Sequence, residues 1–217
     1  MLITCQPTGY PHLERLGSDY GGWVIPTDAL PNGAICYCAG AGEDVTFELE
    51  LMRRFQANVY SIDPTPRALR YIASLKRDGL NLRSIPLGLW SSTRRMRFYA
   101  PENSAEVSHS IANLQRTTDW FEADCITVSD LMSNLGHAKL DLLKMDIEGA
   151  EYEVLDDMTR SKVAPRILCV EFDQTTPVRR TLEMVRKLRK EGYELLHIDR
   201  FNFTFLKTPQ SEEMSVG

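Results

Sequence analysis

The chain has 217 residues, of which 43% are hydrophobic and 25% are charged, and its formal net charge is -5. This length and apolar content suit one domain with a sizeable core, and the negative charge argues against a protein that binds nucleic acid. No stretch approaches the ~18 apolar residues of a membrane span and the first residues do not form a secretory leader, so we expect a cytoplasmic protein without a membrane span.

Short, uniformly apolar runs alternate along the chain with segments of helical periodicity. Strands are predicted at 34–38, 57–62, 82–87, 140–145 and 166–172, and helices at 44–55, 65–77, 129–135, 150–157 and 178–191. Uniformly apolar strands are typical of a parallel sheet that is buried on both faces. Two last strands, at 193–199 and 202–206, predict an antiparallel hairpin at the sheet edge. The sequence therefore predicts an α/β fold with a doubly wound, mostly parallel sheet and a C-terminal antiparallel hairpin.

The five cysteines are an odd number for a disulfide framework. Cys36 and Cys38 lie two positions apart in one apolar run and Cys169 lies in another, which is typical of small core residues. A CxC pair without a second pair is a poor zinc motif. We therefore expect buried, reduced thiols and predict no metal site.

Two glycines, Gly40 and Gly42, stand between the first predicted strand and the first predicted helix. They let a ligand approach the backbone, and the helix offers unpaired amides and a positive dipole end. Asp63 directly follows the next predicted strand and stands 21 positions after Gly42. At that place a carboxylate can accept both hydroxyl hydrogens of a ribose. The pattern predicts a nucleotide-like cofactor, although the two glycines alone also suit a tight strand-to-helix turn.

The identity of the cofactor depends on the residues that follow this loop. A dinucleotide-binding loop has a third glycine at the position of Val45. Glu43 or Asp44, at the start of the helix, would repel a phosphate but would tolerate a cationic sulfonium. The sequence thus favours S-adenosylmethionine over NAD, and a terminal hairpin is typical of methyltransferases. An NAD-linked oxidoreductase remains the less favoured alternative.

A second group of polar residues follows the strand predicted at 140–145. Asp146 and Glu148 fall at its carboxyl end, the edge at which open α/β sheets bind their ligands. Glu151 follows in the same turn, where it also suits the positive end of a helix. Crowded carboxylates act as general bases, bind hydroxylated substrates or hold a divalent ion, and the spacing does not choose among these roles.

The segment Lys144 to Glu151, K-M-D-I-E-G-A-E, resembles the K-I-D-V-E-G-A-E hallmark of the FkbM family of S-adenosylmethionine-dependent methyltransferases. The resemblance continues in the family's order over residues 16–207, through Tyr37 to Phe47, Asp63-Pro64-Thr65-Pro66, Leu87 to Trp90 and Val170 to Asp173. It implies a class I methyltransferase with a Rossmann-like sheet that transfers a methyl group to a hydroxyl of a sugar or secondary metabolite. We accordingly expect an N-terminal cap segment over 1–32, the methyltransferase domain over 33–208 and a flexible tail over 209–217.

The resemblance also implies a role for each matching residue. Asp63 would hold the ribose of the cofactor, Asp146 would lie between cofactor and acceptor, and Glu148 would shape the acceptor site. The remaining cofactor-binding residues implied are the loop Ala39, Gly40, Ala41 and Gly42 around the methionine part, Leu87, Gly88 and Leu89 beside the adenine, and Asp44 and Pro64.

One position departs from the family's pattern, because many members carry an acid where this chain has Cys38. That acid often helps to bind the methionine end of the cofactor. Glu43 or Asp44 would then take over part of its role. A catalytically silent relative that binds a cofactor or a partner without turnover therefore remains an alternative.

The base that accepts the proton of the acceptor hydroxyl has four candidates. Asp146, Glu148 and Glu171 lie at the ends of predicted strands, and His109 lies in a polar stretch expected to cover the same edge of the sheet. The predicted acceptor is a small molecule or a glycan, and the sequence predicts no particular oligomeric state.

Overall fold

The computed structural model describes residues 12–75, 82–99, 117–172 and 177–208. Its strands, in chain order, are β1 (Leu13–Leu16), β2 (Trp23–Pro26), β3 (Ile35–Ala39), β4 (Asn58–Ile62), β5 (Arg83–Ile85), β6 (Gly88–Leu89), β7 (Arg94–Tyr99), β8 (Trp120–Ile126), β9 (Leu142–Met145), β10 (Ile167–Glu171), β11 (Tyr193–Asp199) and β12 (Asn202–Lys207). Its α-helices are α1 (Thr46–Phe55), α2 (Pro66–Ser74), α3 (Val128–Leu135), α4 (Glu151–Ser161) and α5 (Val178–Lys190).

Within this part of the chain, seven strands form a central sheet in the order β11-β12-β10-β9-β3-β4-β5. Strands β5, β4, β3, β9 and β10 run parallel, and β12 pairs antiparallel with both β10 and β11. The chain winds outward from β3 through β4 to β5 and then returns to β9 on the other side of β3. The strand order therefore reverses between β3 and β9, and ligands of open α/β sheets bind at such a switch point.

Each face of the central sheet carries its own apolar core. On one face Leu51 of α1 and Ile72 of α2 pack with the side chains of β1 and β2. On the other face Leu131 of α3, Val154 of α4 and Val185 of α5 pack over the sheet. The strands are buried on both faces because helices cover both, which explains their uniformly apolar sequences. The predicted doubly wound α/β fold with its C-terminal antiparallel hairpin is confirmed.

Two small sheets were not predicted from the sequence. Strands β1 and β2 pair antiparallel, and β8 pairs with both β6 and β7. Strand β7 carries Arg94, Arg95 and Arg97, and Arg95 lies 3.3 Å from Glu122 of β8. Exposed side chains alternate with more buried ones along most of β8, and half of the β7 side chains are exposed, so neither strand shows the apolar run that the strands of the central sheet show.

The cysteines follow the expectation drawn from their spacing wherever the structure describes them. Cys36, Cys38, Cys125 and Cys169 are free and buried. Burial raises the pKa of the Cys38 thiol well above its ordinary value, so this side chain is neutral at physiological pH. Cys5 lies outside the described residues.

Candidate functional site

A cleft of about 540 Å³ opens at the carboxyl ends of β3, β4, β9 and β10. It lies at the switch point of the sheet, and one side of it is formed by the segment between β1 and β2 and by the turn between β11 and β12. The residues that line the cleft include Arg15, Asp19, Tyr20, Gly40–Asp44, Asp63, Pro64, Gly88, Leu89, Phe98, Lys144, Asp146, Glu148, Glu171 and Asp199–Asn202.

The glycine loop after β3 forms the floor of the cleft. Gly40 has a φ of 81°, and a Cβ atom there would lie 1.8 Å from the carbonyl oxygen of Asp146. Gly40 donates its amide to the carbonyl of Ile62 at 3.0 Å. The loop thus crosses the end of β9 at a distance that only glycine allows.

Asp63 is 5% exposed and its carboxylate holds the glycine loop in place. Its Oδ2 atom accepts hydrogen bonds from the amides of Ala41 at 2.9 Å and Gly42 at 3.2 Å. Its Oδ1 atom accepts from the amide of Thr65 at 2.8 Å and from the Thr65 hydroxyl at 2.6 Å. The acid predicted to bind ribose therefore also shapes the loop that would hold the rest of the cofactor.

Asp44 connects the glycine loop to the segment between β1 and β2. Its Oδ2 accepts from the Ser18 hydroxyl at 2.5 Å, and its Oδ1 accepts from the amide and the hydroxyl of Thr46 at 2.9 and 2.6 Å. Burial raises the pKa of Asp44, but these hydrogen bonds outweigh burial and lower it overall. A Cβ atom on Gly21 would lie 2.7 Å from Asp44 Cγ, so the two segments are in direct contact. Glu43, in contrast, is exposed and binds Arg67 at 2.6 Å.

The wall beside the predicted adenine position is formed by Gly88 and Leu89 of β6 and by Phe98 of β7. A Cβ atom on Gly88 would lie 2.6 Å from the Phe98 ring and 2.8 Å from Cys125 Sγ, so glycine permits this packing. Of the predicted cofactor residues, Leu87 and the fully buried Ala39 are not among those that line the cleft.

Three carboxylates and one lysine meet at the ends of β9 and β10. The Lys144 ammonium donates to the carbonyl of Gly40 at 2.5 Å and lies 3.5 Å from Asp146 Oδ2. Asp146 and Glu171 are hydrogen-bonded to each other, and the pKa of Glu171 is raised first by burial and then by the charge of Asp146. Burial and the neighbouring carboxylate therefore favour the neutral form of Glu171.

Glu148 also lines the cleft, and it adopts a left-handed backbone conformation with a φ of 56°. Glu151, by contrast, is 1% exposed and accepts from the amides of Ile147 at 2.8 Å and Gly149 at 2.9 Å. Burial raises its pKa to about 8, whereas these hydrogen bonds lower it. Glu151 therefore stabilises the turn that presents Asp146 and Glu148 and does not face the cleft itself.

His109, one of the four candidate bases, lies outside the described residues. His137 is held by two tyrosines, with its Nδ1 atom 2.7 Å from the hydroxyl of Tyr37 and its Nε2 atom 3.1 Å from the hydroxyl of Tyr60. This network lies in the core beside α3 and not in the cleft, so His137 serves packing and hydrogen bonding.

One side of the cleft is formed by residues that were not predicted from the sequence as site residues, although some of them belong to the expected N-terminal cap segment. Arg15 and Asp199 form an ion pair at 3.3 Å between β1 and the end of β11. Tyr20 is 83% exposed and Phe201 is 37% exposed, and both line the cleft. The hairpin turn containing Phe201 was predicted, but its position at the cleft depends on the docking of β12 against β10.

A metal-binding cluster and a membrane-spanning helix are both absent from the described residues. No group of three or more His, Cys, Asp or Glu side chains is arranged there to hold a metal ion. Across the same ranges, the helices are all too short or too polar to span a bilayer.

The sequence of residues 20–195 matches the family model described as the methyltransferase FkbM domain. No curated protein matches the chain. Among solved structures, the chain is similar to the pre-rRNA processing protein fibrillarin of Methanococcus jannaschii, with 14% identity over 84% of this chain and 69% of that one and a TM-score of 0.45.

Two further solved structures are similar at the same level. One is the precorrin-6y C5,15-methyltransferase of Geobacter metallireducens, with 11% identity over 82% of this chain and 83% of that one and a TM-score of 0.42. The other is TYW2 of M. jannaschii in complex with AdoMet, with 14% identity over 91% of this chain and 88% of that one and a TM-score of 0.40.

Proposed function

Because the chain belongs to the FkbM family of S-adenosylmethionine-dependent methyltransferases, we propose that it methylates a hydroxyl oxygen of a small-molecule or glycan acceptor. One observation carries the proposal: a single cleft joins the glycine loop to the carboxyl pair Asp146 and Glu171. The first is suited to a cofactor and the second to the removal of a proton.

The cofactor half of the cleft extends from the glycine loop to β6. We propose that Gly40, Ala41 and Gly42 contact the methionine part of the cofactor, and that Asp63 and Pro64 lie at its ribose. Gly88 and Leu89 then flank the adenine, with Ala39 and Leu87 supporting these contacts from behind. Because the carboxylate of Asp63 already accepts four hydrogen bonds, from Ala41, Gly42 and Thr65, a ribose hydroxyl would take the place of one of them, such as the hydroxyl of Thr65. Asp44 contributes indirectly, because it fixes the segment that covers the loop.

The acceptor half extends from Asp146 to the turn between β11 and β12. Tyr20 and Phe201 offer two aromatic faces to a ring-shaped acceptor. Asn202 lines the same end of the cleft. Arg15, Lys144 and Arg200 also line the cleft, but Arg15 is paired with Asp199 and Lys144 with Asp146. Because Asp19 and Glu148 add further negative charge, an uncharged acceptor fits this half better than an anionic one.

When bound, the cofactor would supply an electrophilic methyl group on a sulfonium for transfer to the acceptor oxygen. The protein has to orient the two partners and to accept one proton. The backbone of Asp146 contacts Gly40 of the loop and its carboxyl contacts Glu171, so Asp146 lies between the two proposed halves, and a neutral Glu171 would donate a hydrogen bond to it. We propose Asp146 as the base, with Glu171 and Glu148 as its neighbours; His109 stays a candidate.

The proposal is tested by calorimetric titration with S-adenosylmethionine, S-adenosylhomocysteine and NAD, followed by a methyl-transfer assay. The assay uses matched acceptors that differ only in charge, such as a neutral glycoside and the corresponding glycuronide. We expect micromolar binding of both adenosyl compounds, no binding of NAD, and transfer to the neutral acceptor. Adenosyl binding without transfer to any hydroxylated acceptor would favour the catalytically silent alternative, and preference for the anionic acceptor would refute the charge argument.

A further inference from the structure

The side chain of Lys144 connects the glycine loop to the carboxyl pair. Lys144 is 5% exposed and belongs to β9, a strand in the middle of the central sheet. Lysine is unusual at such a position because an ammonium group loses its hydration there. Lys144 is also one of the residues that line the cleft, so its charge lies at the floor of the proposed site.

The ammonium group of Lys144 has one contact in each half of the cleft. It donates a hydrogen bond to the carbonyl oxygen of Gly40 at 2.5 Å, in the loop proposed to bind the cofactor. It also lies 3.5 Å from the Oδ2 atom of Asp146, the proposed base. One buried cation therefore contacts both the cofactor loop and the carboxylate that would accept the proton.

The carboxylate of Asp146 is held by two side chains, Lys144 and Glu171. A carboxylate offers about four lone-pair sites, so these two contacts leave room for the hydroxyl of an acceptor. The backbone of Asp146 is fixed in another way, because its amide donates to the carbonyl of Ala39 at 3.2 Å. Loss of Lys144 would therefore disturb the side chain of Asp146 more than its backbone.

Lys144 remains charged in spite of its burial. Burial lowers the pKa of Lys144, but the charge of Asp146, together with those of other acidic side chains, raises it above its ordinary value overall. Hydrogen bonds and ion pairs of a charged group are the stronger ones, so both contacts of the ammonium group restrain their partners.

We propose that Lys144 is a positioning residue for both halves of the site: one contact fixes the carbonyl of Gly40 in the cofactor loop, and the other orients the carboxylate of Asp146. The same cation thereby couples cofactor binding to the removal of the proton. This inference rests on the proposed function, because it takes the loop as the cofactor site and Asp146 as the base.

The experiment is a double-variant cycle between Lys144→Met and Asp146→Asn. It measures the affinity for S-adenosylhomocysteine by calorimetry and the rate of methyl transfer to the neutral glycoside at saturating S-adenosylmethionine. The control is Lys139→Met. Lys139 also pairs with an aspartate two positions later, Asp141 at 3.0 Å, but its side chain is 71% exposed and it is not among the residues that line the cleft.

We expect Lys144→Met to bind S-adenosylhomocysteine about tenfold more weakly, because a charge-assisted hydrogen bond to the loop is lost. This loss should persist in the Asp146→Asn background, since the contact with Gly40 does not involve Asp146. Turnover should fall about tenfold in the wild-type background and less than about twofold in the Asp146→Asn background, because this effect acts through Asp146. Lys139→Met should change neither value by more than about twofold.

Two results overturn the inference: a folded Lys144→Met that binds as tightly as Lys139→Met, or a fall in turnover that is equal in both backgrounds. Equal falls would indicate a general structural effect, which does not depend on the charge of Asp146. If the wild type binds S-adenosylhomocysteine but transfers no methyl group, the affinities decide in place of turnover.

If Lys144→Met does not fold, NMR of the wild type with isotopically labelled lysine decides. The signal of an ammonium group protected from exchange with water should shift in Asp146→Asn and again on addition of S-adenosylhomocysteine. A signal that moves in neither case, or the lack of a protected signal, refutes the inference. A wild type that binds no S-adenosylhomocysteine refutes the proposed function, whereas a binding wild type with an unaffected Lys144→Met refutes this inference alone.

Discussion

The Oδ2 atom of Asp63 accepts a hydrogen bond of 2.9 Å from the amide of Ala41, in the loop expected to bind the cofactor. The same oxygen accepts from Gly42, and the other oxygen binds Thr65. The carboxylate of Asp63 thus connects the end of β4 to the loop after β3. We therefore expect a substitution of Asp63 to change both the stability of the protein and its affinity for the cofactor.

We expect Asp63→Ala to lower the free energy of unfolding by about 2 to 3 kcal/mol and to weaken cofactor binding by ~1.5 to 3 kcal/mol, the usual range for hydrogen bonds to a charged group. Urea unfolding and calorimetry with S-adenosylhomocysteine measure the two effects. The control is Glu43→Ala, which removes an exposed acid of the same cleft and should change both the free energy of unfolding and the affinity much less than Asp63→Ala does. Unchanged affinity would remove Asp63 from the cofactor site, and unchanged stability would deny its role in the loop.

The contact between Gly40 and the carbonyl of Asp146 predicts a strong effect of one methyl group. Gly40→Ala should destabilise the protein by about 3 kcal/mol or more, because left-handed strain and a backbone clash add. Gly33→Ala is the matched control, since Gly33 has a φ of 73° but nothing within 4 Å of its Cβ position. That control should cost about 1 kcal/mol. Equal unfolding midpoints for the two variants would contradict the close approach of the loop to β9.

Asp146→Asn keeps the shape of the side chain and removes its charge. We expect turnover to fall about 100-fold, as for loss of a general base, with affinity for S-adenosylhomocysteine within about threefold of the wild type. Asp124→Asn, on β8 and outside the cleft, serves as the control. An equal loss of turnover and affinity would instead place Asp146 in the cofactor site.

The raised pKa of Glu171 predicts how stability depends on pH. A carboxyl whose pKa is higher in the folded state binds more protons there, so its contribution is present at low pH and is lost as pH rises from the ordinary value of 4.5 through the raised one. One such proton changes the free energy of unfolding by at most about 1.4 kcal/mol per pH unit.

Glu171→Gln should therefore lose less stability than the wild type between pH 5.5 and 8.5, by about 1 to 2 kcal/mol after allowance for solvent screening of this half-buried group. Urea unfolding at the two pH values measures the difference. Parallel pH profiles for the wild type and the variant would show that Glu171 is not protonated in the folded protein.

Tyr20 contributes little to folding because its side chain is 83% exposed. We expect Tyr20→Ala to change the free energy of unfolding by less than about 0.5 kcal/mol. The KM for the acceptor should rise about fivefold, in line with a lost aromatic contact, while affinity for S-adenosylhomocysteine stays unchanged. Trp120→Ala removes another exposed aromatic residue, outside the cleft, and should leave both the KM for the acceptor and the affinity for S-adenosylhomocysteine unaltered. A Tyr20→Ala variant with wild-type KM would exclude Tyr20 from the acceptor site.

The sequence alone predicts one shared location, a single edge of the sheet, for Gly40, Asp63, Asp146 and Glu171. Each of them directly follows or ends an apolar strand, and the carboxyl ends of parallel strands meet at one edge whatever the order of the strands. The periodicities of strand and helix therefore indicate the central sheet and the part of the cleft that it forms.

Contacts between segments that are distant in sequence could not be predicted from the strand and helix patterns. The contact of Gly21 with Asp44 and the ion pair between Arg15 and Asp199 join segments far apart in the chain, and no local pattern specifies them. The burial of Glu48, which is 2% exposed, contradicts its polarity and was not predicted from the helical pattern. Leu87 and Gly88 are neighbours in sequence, yet only Gly88 lines the cleft.

Strand β12 lies between β10 and β11, although it is the last of the three to be synthesised. While the chain emerges from the ribosome, β11 has no strand to pair with in the central sheet until residues 202–207 are available. The glycine loop, Asp63 and Asp146 depend only on strands made earlier, so the cofactor half can form first. The acceptor half, with Phe201 in the turn, needs β11 and β12 as well, so the order of synthesis allows the proposed cofactor half to form before the proposed acceptor half.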